Sequence, residues 1–274
     1  MSRGAAGEAQ RYRQLERAWQ DDVGHALLDK PFALAGGAAV FARQLDRIGA
    51  ALDAAPAGAV VDVGCGNGQL LERLRDSGRF ANRLLLGIDV SVAVATARAR
   101  GLEVVKADGE FLPFRARSVA AVVYNGALHH IIDYQAAVRE AWRVLVPGGR
   151  LVVFEPVSSA FSRLVHHVLD PIVFRTTCEY ESPIDQRYKD EFREDVIVDA
   201  LVAEGASVVR EHSDFLAYPF TGCYATSPFA RSARVMRLLI ATEERVARLP
   251  VLRRIARTLA WRFLIVGVKN GTPA

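Results

Sequence analysis

Cysteine is scarce in this 274-residue chain: Cys65, Cys178 and Cys223 stand far apart and form no C-x-x-C pair. That argues against a disulfide framework and a zinc site and fits a reducing compartment, so a cytoplasmic location is expected. The opening MSRGAAGEAQRYRQ lacks the apolar core of a signal peptide. Long uncharged runs are also few. The longest, Phe215 to Ala230, contains Pro219, Gly222 and Pro228 and is a poor membrane span. No glycine-rich turn continues into Gly-Lys-Ser/Thr, so a phosphate loop is missing, and there is no internal repeat or low-complexity tract. What remains is an ordinary folded composition, 51% hydrophobic and 24% charged, long enough for one large domain with elaborations or two small ones. The net charge of +4 permits an acidic partner or an anionic membrane surface without requiring either.

Residues from about Gln10 to Ala54 read as two helices separated by the Pro31 to Gly37 stretch. Strand and helix then alternate. AVVDVG, LLLGIDV, LEVVKAD, SVAAVVYNG and RLVVFEP are five strands. Between them lie QLLERLRDSG, stopping at Gly78, SVAVATARARG, with Ser91 as N-cap and Gly101 as stop, and YQAAVREAWRVLVPGG, ending at Pro147-Gly148-Gly149. This alternation predicts a parallel sheet with helices on both faces. After Pro156 the pattern breaks until EFREDVIVDALVAEG, a helix, ASVVREHSDF, a sixth strand, and LAWRFLIVGVKN, a late seventh.

The stretch VVDVGCGNGQL carries Gly64, Gly66 and Gly68 between the first strand and the helix that follows. Glycine permits positive φ and close approach to the backbone, and the helix start offers free N–H donors to an anionic group. The dinucleotide fingerprint would need glycine at 69 or 71, where Gln69 and Leu71 stand. Two acids follow. Asp89 ends the second strand, about 20 residues on, where a carboxylate accepts from ribose hydroxyls. Asp108 in ADGEFLPF follows the third strand and could accept from a purine amine, with Phe111, Leu112 or Phe114 as an apolar wall. The bland readings are a capping charge for Asp89 and an Asp-Gly turn for Asp108.

VVDVGCGNGQLLERL, GIDVS, ADGEFLPF, VVYNGALHHI and REAWRVLVPGGRLVVFEP together resemble the ordered motifs of class I S-adenosylmethionine-dependent methyltransferases, closest to the small-molecule branch that includes the quinone C-methyltransferases. The resemblance covers about Ala59 to Pro156, with WRFLIVGVKN suiting the last strand. It implies a Rossmann-like, mostly parallel α/β sheet of seven strands flanked by helices, with one insertion after strand 5 and another between strands 6 and 7. Residues 1–54, which the resemblance does not cover well, are expected to contribute helices to a substrate cover ahead of a methyltransferase domain over 55–274, whose poorly covered segments 157–190 and 215–259 read as substrate-side insertions. S-adenosylmethionine is the implied cofactor. Asp62, Gly64, Cys65, Gly66, Asn67 and Gly68 would surround its methionine part, with Cys65 and Asn67 contributing mainly backbone. Asp89 would hold the ribose, Val90 would pack near the adenine, and Asp108 and Gly109 would read its amine. Asn125 and Gly126 would lie near the sulfonium, and His129 and His130 would face the acceptor.

Methyl transfer from a sulfonium needs a base only when the acceptor must lose a proton. His129 is the first candidate and His130 the second. His166, His167, Tyr180 and Glu181 are reserves, and they lack metal-ligand spacing, so no metal is expected. Asn125-Gly126-Ala127-Leu128 is not the Asn/Asp-Pro-Pro-aromatic pattern of base-amine methylation, and no Pro-Cys nucleophile exists, which argues against a nucleic-acid substrate. Phe215, Tyr218, Phe220, Tyr224 and Phe229 crowd one loop, as a wall for a flat acceptor or as a packing anchor. Val235, Leu238, Leu239, Val246 and Leu249 form a helical stripe beside Arg231, Arg234, Arg237, Arg245, Arg248, Arg253, Arg254 and Arg257: a solvated face over a buried stripe, or a peripheral membrane contact. The expected function is methylation of an oxygen or carbon of a small, fairly apolar metabolite. The alternatives are an RNA or protein methyltransferase and a non-catalytic S-adenosylmethionine-binding protein, while the glycine pattern disfavours a nicotinamide oxidoreductase.

Overall fold

The β-branched runs of the sequence become the central strands of a sheet in the computed structural model, which describes residues 3–24, 34–157, 161, 164, 182–183, 191–220, 231–249, 254 and 257–271. Seven strands, β1 (Val60–Val63), β2 (Leu85–Asp89), β3 (Glu103–Lys106), β4 (Val119–Asn125), β5 (Leu145–Pro156), β6 (Ser207–Ser213) and β7 (Arg262–Val268), lie in the order β3-β2-β1-β4-β5-β7-β6. Strands β1 to β5 are parallel, and β7 enters antiparallel between β5 and β6. The order reverses at β1 and β4, so a crevice opens beyond their carboxyl ends.

Alternation along each strand divides the core. Val61, Val63, Val122, Tyr124, Leu151 and Val153 face one layer with Ala137, Ala141 and Trp142 of α5 (Tyr134–Val144) and Ile197 and Leu201 of α6 (Glu194–Ala203). Val60, Ala121, Val123, Val152 and Phe154 face the other, against Ile48 and Leu52 of α2 (Ala35–Asp53) and Leu70 and Leu74 of α3 (Gln69–Asp76). Residues apolar on both faces mark strands covered twice. The first helix, α1 (Arg3–Trp19), continues into a π turn at Gln20–Gly24; α4 is Val94–Ala99 and α7 is Ala233–Arg248.

Four local expectations change. Gly36 and Gly37 are buried inside α2 rather than in a linker. Helix α5 stops at Val144, and Pro147, Gly148 and Gly149 lie within β5, where Gly148 N–H donates to the Lys269 carbonyl at 2.7 Å. Ala93, not Ser91, is the N-cap of α4, because Ser91 sits two residues earlier in a bend whose N–H goes to Asp89. The apolar stripe of α7 also splits. Val235 and Leu239 pack with Met236 against Val40 of α2 and Ala217, while Leu238 and Leu249 are exposed. The buried face must also carry Glu243, which pairs with Arg43 of α2. Arg231, Arg234, Arg237, Arg245, Arg248, Arg254 and Arg257 are exposed. Among the described residues no helix is long and apolar enough to cross a membrane.

Candidate active site

The loop after β1 needs glycine three times. Gly64, Gly66 and Gly68 have φ of +76°, +52° and +85°, the left-handed region that side chains disfavour. At two of them the protein itself is the close neighbour. A Cβ on Gly64 would lie 2.3 Å from the Cβ of Ala127, and one on Gly68 would lie 2.3 Å from Leu102 Cδ1. Four of the loop's N–H groups are engaged within the protein. Gly64 and Cys65 donate to the Ile88 carbonyl at 2.7 and 3.0 Å, Gly68 donates to Cys65 at 2.8 Å, and Gly66 donates to Asp89 Oδ2 at 2.7 Å. Cys65 points into the core beside Gly87, Leu71 and Val104, and burial pushes its thiol up.

Three acids lie at or just past the carboxyl ends of β1, β2 and β3. Asp62, in β1, is buried, and burial, helped by the charge of Asp89, pushes its carboxyl up to about 8. Asp89 ends β2 and accepts from Gly66 and Ser91 N–H, each at 2.7 Å, so it ties the glycine loop to the second strand. Asp108 accepts from Glu110 N–H at 3.0 Å, the Asx turn of the bland reading, and Gly109 packs where a Cβ would meet Ile131 at 2.8 Å. No basic side chain pairs with Asp62, Asp89 or Asp108 among the described residues. Val90 is half-buried between Asp89 and Ser91. The expected apolar wall does not assemble: Leu112 and Phe114 belong to the core, and Phe111 alone is exposed, at 73%.

Beyond β4 the chain turns at Gly126, φ +67°, where a Cβ would meet nothing within 4 Å. A short 3-10 turn, Leu128–His130, follows. His129 Nδ1 lies 2.5 Å from Oε2 of Glu155, a fully buried carboxylate near the end of β5. Its other oxygen accepts from Ala127 and Leu128 N–H at 2.9 and 2.8 Å. Burial would push Glu155 up, but His129 and these two N–H groups outweigh it and hold the carboxyl below its ordinary value. With Nδ1 held by a carboxylate, Nε2 is the nitrogen of His129 suited to take a proton. Glu155 was missed in the sequence. The available signal was an acid near the carboxyl end of an otherwise apolar buried strand.

His130 does different work. Its Nδ1 lies 3.1 Å from Glu16 of α1 and 3.2 Å from Ser182 Oγ. The same helix sends Arg13 to Glu110 with three contacts of 2.8 to 3.2 Å, and Asp21, in the turn after it, accepts from Val92 N–H at 2.7 Å. One helix and its turn therefore touch the loops after β2, β3 and β4. His129, Ile131, Ile132, Asp133, Tyr134, Gln135, Glu191 and Phe192 line a small cleft of about 170 Å³. None of the three acids lines it.

On the other side of Asn125 lies a buried polar belt. Asn125 Oδ1 accepts from Gln44 of α2 and, at 3.4 Å, from Arg262 Nη2, so its side chain is committed here rather than to the glycine loop. Arg43, next to Gln44, pairs with both Asp214 and Glu243, all three buried. Burial pushes Glu243 up against the pull of Arg43, with Asp214 adding to the rise. Tyr218 reaches this belt, with its ring centre 5.0 Å from the Arg262 guanidinium. Tyr224 and Phe229, the side chain of Phe220, Arg253, and the reserve residues His166, His167, Tyr180 and Glu181 lie outside the described residues, as does most of the 157–190 segment.

Comparison with known proteins agrees with this geometry. Residues 61–153 match the family model described as a methyltransferase domain. A demethylmenaquinone methyltransferase of Corynebacterium urealyticum is 33% identical over 122 residues, covering 43% of this chain and 51% of that protein. A probable tRNA methyltransferase 9B of Bos taurus is 36% identical over 105 residues, covering 36% of this chain and 21% of that one. The chain thus spans about half, or less, of these curated relatives. The crystal structure of an S-adenosylmethionine-dependent methyltransferase from Archaeoglobus fulgidus shares the fold, with a TM-score of 0.51 at 16% identity over 82% of this chain and 94% of that one. Residues 61–153 thus match a methyltransferase domain, set in a seven-stranded sheet that shares the fold of the Archaeoglobus structure.

Proposed function

We propose that this protein transfers a methyl group from S-adenosylmethionine to an oxygen or carbon of a small, fairly apolar metabolite. The carrying observation is electrostatic. Asp62, Asp89 and Asp108 lie at or just past the carboxyl ends of β1, β2 and β3, at the sheet's switch point where a left-handed glycine loop bonds to Asp89, with no basic partner among the described residues. Such a site suits a cationic ligand and disfavours the diphosphate of a nicotinamide dinucleotide. S-adenosylmethionine carries a sulfonium and an ammonium, and its adenosine hydroxyls and amine match the positions of Asp89 and Asp108. A cation beside Asp62 would draw off the proton that burial holds there.

When bound, the donor supplies an activated methyl group; the chain supplies orientation and a water-poor site. Gly64, Gly66 and Gly68 shape the methionine pocket, and the open face of Gly126 leaves room for the reacting centre. For a hydroxyl acceptor, His129 takes the proton at Nε2 while Glu155, a positioning residue, holds Nδ1. Helix α1, tied to the loops after β2, β3 and β4, acts as the cover over the site. The demethylmenaquinone methyltransferase relative supports a quinol-like acceptor. The tRNA methyltransferase relative supports an RNA acceptor, the second reading. Radiolabelled methyl transfer over a panel of quinols, phenols and tRNA tests both. Transfer to small acceptors is the expected result. Transfer to tRNA alone, with steeply salt-dependent affinity, would replace it. Donor binding without turnover on any acceptor would favour a non-catalytic binding protein.

A further inference from the structure

Arg262 opens β7 beside Pro156, at the carboxyl end of β5, and is only 5% exposed. A buried guanidinium normally lies against a carboxylate, because an unpaired buried charge is costly. Arg262 has none. Its Nη1 donates to Gln44 Oε1 at 2.7 Å. Its Nη2 makes two contacts of 3.4 Å, to Asn125 Oδ1 and the Phe154 carbonyl, both at the outer limit of hydrogen bonding. Its Nε is buried with no partner. Every acceptor it touches is neutral.

Other arginines of the chain show what this edge normally holds. Arg13, Arg79, Arg143 and Arg193 present Nε and Nη2 together to Glu110, Asp53, Glu140 and Asp195. That fork matches the two oxygens of an oxyanion. These four are each at least 33% exposed, so the most buried of the five is the one whose fork has no anion. The neighbouring acids are already engaged, since Asp214 and Glu243 both pair with Arg43. The guanidinium lies 4.1 Å over the ring of Phe154 and 5.0 Å from that of Tyr218, which fixes its plane and leaves the Nε–Nη2 edge as its weakly bonded side.

We infer that the methyl acceptor carries an oxyanion, a carboxylate or a phosphate monoester on an apolar body, and that Arg262 binds it through Nε and Nη2. The inference rests on the reading that the acceptor lies at the carboxyl ends of β4 and β5, where Asn125, Phe154 and Arg262 meet. The ligand would exchange the two long Nη2 contacts for short, charge-assisted ones and satisfy the buried Nε. Tyr218 and Phe154 would flank its apolar part.

The test uses the full chain saturated with S-adenosylhomocysteine. Benzoate, cinnamate and 2-naphthoate, their methyl esters, and 2-naphthyl phosphate are titrated calorimetrically. At least one acid is expected to bind roughly tenfold or more tightly than its ester. A carboxylate preference and a phosphate preference separate the two sources of the anion. Arg262→Gln should abolish the preference while leaving S-adenosylhomocysteine affinity in place. Asn125→Asp, which supplies an internal counter-ion to Nη2, should weaken it without removing the arginine. Equal binding of every acid and its ester to the wild type overturns the inference even if Arg262→Gln fails to fold, and so does a preference that survives Arg262→Gln. If S-adenosylhomocysteine does not bind the wild type, the donor reading fails separately, and the same acid–ester comparison on the free chain still decides the role of Arg262.

Discussion

The two sides of the β4 strand end differ in the sign of the charge left without a partner. Toward β1, β2 and β3 stand Asp89 and Asp108, half-buried carboxylates that among the described residues accept only from backbone N–H, beside the buried Asp62, whose proton is held up to about pH 8. Toward β5 and β7 stands Arg262, a guanidinium with only neutral acceptors among the described residues. Buried charge without a counter-ion is rare in a fold built for stability alone, and it marks where a ligand completes the electrostatics. The donor side calls for a cation and the acceptor side for an anion. The His129–Glu155 pair, near the ends of β4 and β5, has the chemistry to take a proton from an acceptor.

Substitutions can break this contrast one side at a time. The largest effect belongs to the donor loop. Gly68→Ala would force a side chain to φ +85° and drive its Cβ to 2.3 Å from Leu102. A stability loss of roughly 3 kcal/mol is expected in denaturant melts. Gly126→Ala has the same backbone sign but open space, so it should cost only about 1 kcal/mol and act chiefly on ligand affinity.

Next comes Asp62→Asn. Folding raises this carboxyl from 3.8 to about 8, so the stability of the folded state is full below pH 3.8 and is lost as pH rises through about 8. Asparagine removes that loss. The variant should melt like the wild type near pH 3.5 and be more stable at pH 8.5, by on the order of 2 kcal/mol, while binding the donor more weakly. A wild-type advantage at pH 8.5 would show that Asp62 has a cationic partner in the free protein.

Glu155→Gln should act on turnover more than on binding. It removes the charge that holds His129 and should lower kcat by about tenfold to a hundredfold, with S-adenosylhomocysteine affinity nearly constant. Folding holds Glu155 below 4.5, so its contribution to stability is present above that pH and is lost as pH falls through its lowered value. The variant should therefore lose part of the acid sensitivity of the wild type. An unchanged kcat would leave His129 without a role in proton transfer. The smallest effect is expected at Leu238, 64% exposed on α7. Leu238→Ser should change stability by less than about 0.5 kcal/mol. A loss of vesicle binding in that variant would instead identify α7 as a membrane contact.

The sheet was readable from the chain because its signals are local. VVDVG, LLLGIDV and RLVVFEP carry their own apolar patterns, and positive φ at Gly78 and Gly101 ends the helices where glycine predicted. The glycine loop was readable as a loop, but two of its glycines answer to Ala127 and Leu102 rather than to a ligand, contacts that only the folded chain brings together. Glu155 and Arg262 were not recognised as site residues, since their meaning depends on partners far away in sequence. Glu155 meets His129 across 26 residues, and Arg262 meets Gln44 across 218. His130 had been paired with His129 by adjacency, yet one ring is held by a strand and the other by an N-terminal helix.

The central claim is that the acids around the glycine loop hold S-adenosylmethionine. It is tested most directly by titrating the full chain with S-adenosylmethionine in buffers of different ionisation enthalpy, beside Asp89→Asn. One-site binding is predicted, with proton release near neutral pH as Asp62 ionises, and a loss of at least about tenfold in affinity for Asp89→Asn. Unchanged affinity in Asp89→Asn, or binding of a nicotinamide dinucleotide in place of S-adenosylmethionine, would contradict it.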